Sequence, residues 1–246
     1  MRLGSIEVIE PYPAIYIKEL EAIVICDLHL GYEGIMAEQG IFMPKVQFER
    51  EMEILSKIVD YKSASNFIIV GDVKHEFSET TYHEFREVKD LFEYLKNNFE
   101  RIVLVKGNHD NYIIYTTRRY GVELYDEFLF KDFLFLHGDK PLKETKGRYI
   151  IMGHEHPAIA LYDEIGAKEK LKCFLYGEVE ARKFLVMPAF SYLALGSEVN
   201  TIPREELLSP ILKELEIDDF RVIAISEEAG IMDFGRLGDI RPEKLF

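Results

Sequence analysis

Five short apolar runs in this chain each lead into residues that bind metal ions or move protons. Cys26-Asp27-Leu28-His29 follows Ile25, Gly71-Asp72 follows Val70, and Gly107-Asn108-His109-Asp110 comes soon after Val105. His137-Gly138 follows Leu136, and Gly153-His154-Glu155-His156 follows Met152. Five of the seven histidines fall in these motifs, a concentration that chance scatter does not explain. Carboxylate, imidazole and amide oxygen suit Mn²⁺, Fe or Zn²⁺, whereas Cys26 and Cys173 alone cannot build an all-thiolate site. The chemistry that calls for such a set is two-metal hydrolysis of a phosphate ester. Two divalent ions about 3.5–4 Å apart share a bridging carboxylate, hold a hydroxide nucleophile and clamp the phosphoryl oxygens.

The elements that must position these residues are legible as changes of period. Ala14 to Lys18 and Ala22 to Cys26 read as strands, and Pro44 to Tyr61 as a helix with Phe48, Met52, Leu55 and Val59 on one face. Phe67 to Val70 is a strand, followed by a helix from Tyr82 to Asn97 with a Thr81/Glu84 capping box, and then the strand Ile102 to Val105. Beyond Val122 strands dominate: Phe128 to Phe130, Phe133 to His137, Tyr149 to Met152, Ala158 to Tyr162, Lys172 to Leu175 and Phe184 to Met187. A helix over Arg204 to Leu215 and a strand over Arg221 to Ile225 close the chain. An α/β first half thus precedes a mostly β second half, and no Ser-, Gly- or Pro-rich linker divides them, so residues 1–246 read as one domain.

Composition narrows the function. The 246 residues carry 30 Lys+Arg against 44 Asp+Glu, a net charge of −14, which argues against a protein that coats nucleic acid by general electrostatics. Apolar runs such as Ile23 to Cys26 fall far short of the roughly 18–20 residues that span a bilayer. With no signal-peptide pattern at the N-terminus and only two cysteines, the expected location is the cytoplasm, with no membrane partner.

The ordered motifs resemble those of the calcineurin-like metallophosphoesterases: DxH, GD, GNHD, a GH-type histidine and GHxH, spread from residue 27 to residue 156. The DLHLG opening at Asp27 and the later Met187-Pro188-Ala189-Phe190 are most similar to the prokaryotic branch related to the SbcD repair nuclease and the ligase-associated phosphoesterases. The resemblance implies a two-sheet β sandwich flanked by helices, a four-layer αββα arrangement. It implies two divalent ions, Mn²⁺ first, with Fe, Zn²⁺ or Ni²⁺ as substitutes. Asp27, His29, Asp72 and His156 would hold one ion and Asp72, Asn108, His137 and His154 the other, with Asp72 bridging. His109 would stand beside the scissile phosphate as charge stabiliser or general acid, and Asp110 would orient its imidazole through a ring N–H hydrogen bond.

Around this core, Lys74 and His75 read as a solvated loop, ahead of a substrate-phosphate contact for Lys74 and support of the metal shell by His75, with His83 as surface, Cys26 as an inert core thiol, and Glu155 as pointing away from the metals. Residues 101–150 hold nine Lys+Arg against seven Asp+Glu, the least acidic stretch. There Arg118, Arg119, Lys140, Lys143, Lys146 and Arg148 are candidates for phosphate contacts, and Tyr112, Tyr115 and Tyr120 for stacking on bases. The expected activity is hydrolysis of phosphodiesters by a metal-bridging hydroxide, with nucleic acid as one candidate substrate. Two rivals stand beside it: a hydrolase of nucleotides or cyclic nucleotides, and a protein-binding scaffold of the same fold. A scaffold would typically lack the catalytic histidine, and His109 is present.

Overall fold

A run such as Ala22-Ile23-Val24-Ile25-Cys26 has no polar position, so as a strand it must be covered on both faces. The computed structural model, which describes residues 1–77, 82–143 and 146–242, shows how. Among these residues one sheet runs β1 (Arg2–Leu3), β2 (Ile6–Val8), β3 (Ala14–Ile17), β4 (Ala22–Cys26), β5 (Asn66–Gly71), β6 (Arg101–Lys106), β7 (Glu123–Tyr125) in spatial order. Strands β4 to β7 are parallel, and β1 to β4 form an antiparallel meander. The helices α1 (Tyr32–Glu38), α2 (Gln47–Tyr61), α3 (Tyr82–Asn98) and α4 (Ile114–Tyr120) lie in the crossovers.

The second sheet contains β8 (Glu127–Phe130), β9 (Phe133–Leu136), β10 (Tyr149–Met152), β11 (Pro157–Tyr162), β12 (Lys168–Val179), β13 (Arg182–Val186), β14 (Ser197–Glu198), β15 (Arg221–Ser226) and β16 (Gly230–Arg236). Its order is β14-β11-β12-β13-β10-β9-β8, with β15 paired to β12 and β16 to β15. The short helix α5 (Pro210–Glu214) packs outside it. Alternate residues of β4 divide between two cores: Ala22, Val24 and Cys26 meet Phe135, Ile151 and Leu185 of the second sheet, while Ile23 and Ile25 pack with Leu55 and Ile58 of α2 and Phe92 of α3. A third core joins the outer face of the second sheet to Ile211 and Leu212. Two mixed sheets packed face to face and flanked by helices are the expected αββα architecture.

Several boundaries differ from the sequence reading. Helix α2 begins at Gln47 rather than Pro44, because Glu33 Oε1 of α1 accepts the N–H groups of Val46 and Gln47 at 2.7 and 2.9 Å and caps the helix there. The helix expected over Arg204 to Leu215 is a 3₁₀ turn, Arg204–Glu206, and then α5, with Pro210 at its first position. Strand β12 is far longer than Lys172 to Leu175, because its outer end alternates charged residues that carry no apolar signal. Thr81 of the expected capping box lies outside the described residues. Glu84 Oε1 instead accepts the N–H groups of His75 and Glu76, both at 2.9 Å.

Candidate metal centre

The five motifs leave the ends of β4, β5, β6, β9 and β10, where the two sheets come together. Asp27, His29, His154 and His156 all adopt left-handed backbone, with φ of 48°, 51°, 64° and 47°. Such conformations are costly for residues other than glycine and persist only where neighbours over-determine them. Leu28 N and His29 N donate to Asp72 O at 2.7 and 3.1 Å, and Asp72 N returns a bond to Asp27 Oδ1 at 3.0 Å. His154 N donates to Asp27 Oδ2 at 2.9 Å. The glycines of the motifs answer to the same crowding: a Cβ on Gly71, which has φ +94°, would collide with Asp27 Oδ1, and one on Gly107 with Asp72 Oδ1.

Side chains converge on Asp72. Its Oδ2 lies 3.9, 3.8 and 3.4 Å from Nε2 of His29, His109 and His137, and its Oδ1 accepts His109 N at 2.8 Å. On one side His156 Nε2 sits 3.2 Å from Asp27 Oδ2 and 3.4 Å from His29 Nε2. On the other, His137 Nε2 is 2.8 Å from Asn108 Oδ1 and 3.0 Å from His154 Nδ1. Asp27, His29 and His156 present donor atoms within 4.8 Å of one another, as do Asp27, Asp72 and His137. All seven expected ligands are therefore brought into one cluster, with both carboxylates among the imidazoles: Asp72 Oδ2 faces His29 and His137, and Asp27 faces His156 and, through Oδ1 at 3.4 Å, His137 Nδ1.

The cluster is electrostatically tense. Burial pushes the Asp72 carboxyl up to about 8 and pulls the His29 imidazole far down. Burial also acts on Asp27 and His137, but there each is outweighed: His156 and His137 hold Asp27 well below the usual carboxylate range, and Asp27 and Asp72 lift His137 to about 9. Among the described residues the ion-pair partners of Asp27 and Asp72 are all imidazoles. Buried carboxyl groups and imidazole nitrogens drawn together from several strands form a donor set for cations, so the residues present fit two divalent ions, whose binding would release the protons that Asp72 and His137 hold.

The surroundings depart from expectation in three places. Asp110 is fully buried, but its oxygens accept the backbone N–H groups of Val73, Lys74 and Gly107 at 3.0, 3.2 and 3.0 Å. The imidazole of His109 is oriented instead by the His75 carbonyl, which faces its Nδ1. Lys74 is not solvated: it is fully buried, and its ammonium donates to Glu76 O. His75 is half-buried, and its donor atom lies within 4.8 Å of those of His29 and His109. Phe77, which the sequence reading passed over, lays its ring 3.6 Å from the His109 ring. The only sequence signal for it was its place five residues after Asp72.

Other expectations hold. Cys26 is buried, His83 is exposed, and Glu155 turns to Ser209 N at 2.9 Å. Of the three tyrosines, Tyr112 and Tyr115 are exposed, whereas Tyr120 belongs to the core behind α3. No helix among the described residues is long and apolar enough to cross a membrane.

Comparison with known proteins agrees with this geometry. The profile of the calcineurin-like phosphoesterases matches residues 21–185. A nuclease from Pseudomonas putida, called MPE, has a similar crystal structure, with a TM-score of 0.61, 20% identity, and 86% of this chain and 88% of that one covered. A protein of unknown function from Aquifex aeolicus is also similar, with a TM-score of 0.35, 22% identity, and 59% of this chain and 81% of that one covered. No curated protein matches the sequence. The chain belongs to the calcineurin-like phosphoesterase family, and with it to the metal-dependent hydrolases of phosphate esters.

Proposed function

We propose that this protein is a binuclear phosphodiesterase acting on nucleic acid, with Mn²⁺ as its working metal. The observation that carries the reading is the single oxygen of Asp72 facing three imidazole nitrogens at 3.4–3.9 Å within the ligand cluster. Asp27, His29, Asp72 and His156 would hold one ion, and Asp72, Asn108, His137 and His154 the other. Bound there, the pair would activate water as a nucleophile and neutralise the phosphoryl oxygens.

The remaining work falls to the chain. A carbonyl only accepts, so His109 keeps its proton on Nδ1, toward His75 O, and presents Nε2 to the site. Burial holds this imidazole at about 4 in the free protein, and the negative phosphoryl group of a substrate raises it, drawing a proton to Nε2 for the leaving oxygen. Phe77, 52% exposed with its ring against His109, and Tyr112, 60% exposed and three residues along the chain from His109, lie on loops joined by Asn111 Nδ2 to Phe77 O at 2.9 Å, and would offer faces for bases beside the scissile phosphate. The P. putida nuclease shows that the fold can serve such a substrate. The reading includes one catalytic domain over residues 1–246 and a reducing, cytoplasmic setting, which two buried free thiols suit.

The test is hydrolysis of a chromogenic phosphodiester and its monoester by metal-free protein reloaded with Mn²⁺, Ni²⁺, Zn²⁺ or Mg²⁺, followed by single- and double-stranded DNA. Metal-dependent diester and DNA cleavage supports the proposal. Cleavage of nucleotides without DNA would replace it with the small-molecule reading, and absence of turnover at full metal loading would favour a scaffold.

A further inference from the structure

Each carbonyl from Cys26 to His29 is taken by a donor outside the metal centre. Cys26 O accepts from Phe190 N at 2.6 Å and Asp27 O from Ser191 N at 3.0 Å. Leu28 O and His29 O both accept from the side chain of Gln47, whose Nε2 lies 3.0 and 3.1 Å away. The same Nε2 is 2.9 Å from Glu51 Oε1 and 3.1 Å from Ser191 Oγ, so two N–H bonds are shared among four acceptors. Glu51 Oε1 also accepts Tyr192 N at 2.8 Å. From β12, the Lys172 ammonium donates to Ala189 O at 2.8 Å and to Ser191 O.

Gln47 and Glu51 are each 1% exposed, and they stand one turn apart on α2. Packing does not call for them there. An amide and a carboxyl group removed from water, beside the half-buried Lys172 ammonium, cost free energy that apolar side chains of similar volume would not, and among the described residues Glu51 Oε2 has no hydrogen-bond partner. What this group does touch is the stretch whose backbone is left-handed at both Asp27 and His29. Gln47 holds it directly. Glu51 and Lys172 fix Gln47 and the 189–192 segment, which binds the two preceding carbonyls.

We propose that Gln47, Glu51 and Lys172 form a clamp, buried at Gln47 and Glu51, that keeps the Asp27–His29 turn in its strained, metal-receiving conformation, with Gln47 as the positioning residue. This inference rests on the metal reading above. The clamp touches no ligand side chain, so it acts on the placement of the Asp27 carboxylate and the His29 imidazole through their backbone.

The experiment is calorimetric titration of the metal-free full chain with Mn²⁺, beside its melting temperature without metal. Gln47→Met, of similar length and without a donor, lowers Mn²⁺ affinity at one of the two sites by about 10–100-fold, as removal of a ligand-orienting group does, while the metal-free chain stays folded with a Tm lowered by the unpaired Leu28 and His29 carbonyls. Glu51→Gln keeps the Oε1 acceptor and so keeps wild-type affinity, which separates positioning from a mere effect of negative charge. If Gln47→Met does not fold, Lys172→Met is read by the same criterion, because it frees the segment bound to Cys26 and Asp27. Wild-type Mn²⁺ affinity in a folded Gln47→Met, or in Lys172→Met in its place, overturns the clamp while leaving the metal reading intact. A wild-type chain that takes up no Mn²⁺ contradicts the metal reading and the clamp with it.

Discussion

Asp72 Oδ2 faces the Nε2 atoms of His29, His109 and His137, while its Oδ1 holds the His109 N–H. An amide in its place keeps the shape and loses the charge that two cations would share. Asp72→Asn is therefore expected to bind at most one Mn²⁺ per chain and to lose turnover, measured by elemental analysis and diester hydrolysis; two ions and full activity would contradict the bridge. His109→Ala is expected to keep both ions and lose about 10²–10⁴-fold in kcat, since its part is proton transfer. Loss of metal in that variant would make His109 a ligand. The gathering of these residues was legible in sequence because metal ligation restricts residue type, so Asp, Asn and His recur at the ends of apolar runs, whereas the role proposed for each came only from the resemblance. The task of Asp110 was not legible. A carboxylate that accepts three backbone N–H groups looks, in sequence, the same as one that orients a histidine. The contact of Phe77 with His109 depends on how a loop folds back, and no spacing encodes it.

Among the elements, the strand ends are under tight steric demands. Gly107 follows β6 directly, and a Cβ there would overlap Asp72 Oδ1. Gly107→Ala should therefore displace Asp72, costing about 1–3 kcal/mol of stability and a large share of Mn²⁺ affinity. Denaturant melts and metal titration measure both, and a variant equal to wild type in each would show that the loop yields freely.

Helix α2 carries a pH-dependent cost. Burial raises Glu51 from its ordinary 4.5 to about 7, so the folded state holds a proton that the unfolded chain has lost. That contribution to stability is complete below about 4.5 and is lost as pH rises through about 7. Lys172, lowered by burial to about 8, works in the opposite sense: its favourable contribution exists above 10.5 and is lost as pH falls through 8. Removing the Glu51 charge lowers Lys172 further, which adds to the same trend. On going from pH 5 to pH 8, Glu51→Gln should gain roughly 1–3 kcal/mol relative to wild type in urea melts. A difference independent of pH would mean that Glu51 titrates normally. The apolar runs of β4, β5 and β10 were readable to within a residue because both faces are covered. Helix α1 was not, since Glu33 is buried to cap α2 and breaks the apolar pattern.

For the whole molecule, the sandwich brings the candidate ligands from residues 27–156 together by packing β4, β5 and β6 of one sheet against β9 and β10 of the other. The division into an α/β half and a β half was visible in the sequence. The pairing of the halves into facing sheets followed only from the resemblance, because periodicity says nothing of which buried face meets which. A net charge of −14 also shapes how a nucleic acid would be held. Binding through Phe77, Tyr112 and bound cations, rather than a basic surface, should give a shallow salt dependence. KM for single-stranded DNA is expected to rise less than about tenfold between 50 and 200 mM salt, against the roughly 10³–10⁵-fold of a protein with many phosphate contacts. A steep slope would locate the strand on Arg118, Arg119 and the lysines around residue 140 instead.

The most direct test of the central claim is anomalous diffraction from crystals of the protein grown with Mn²⁺. Two peaks about 3.5–4 Å apart, one on each side of Asp72, are the expected result. A single peak, or two that do not share Asp72, would contradict the binuclear centre.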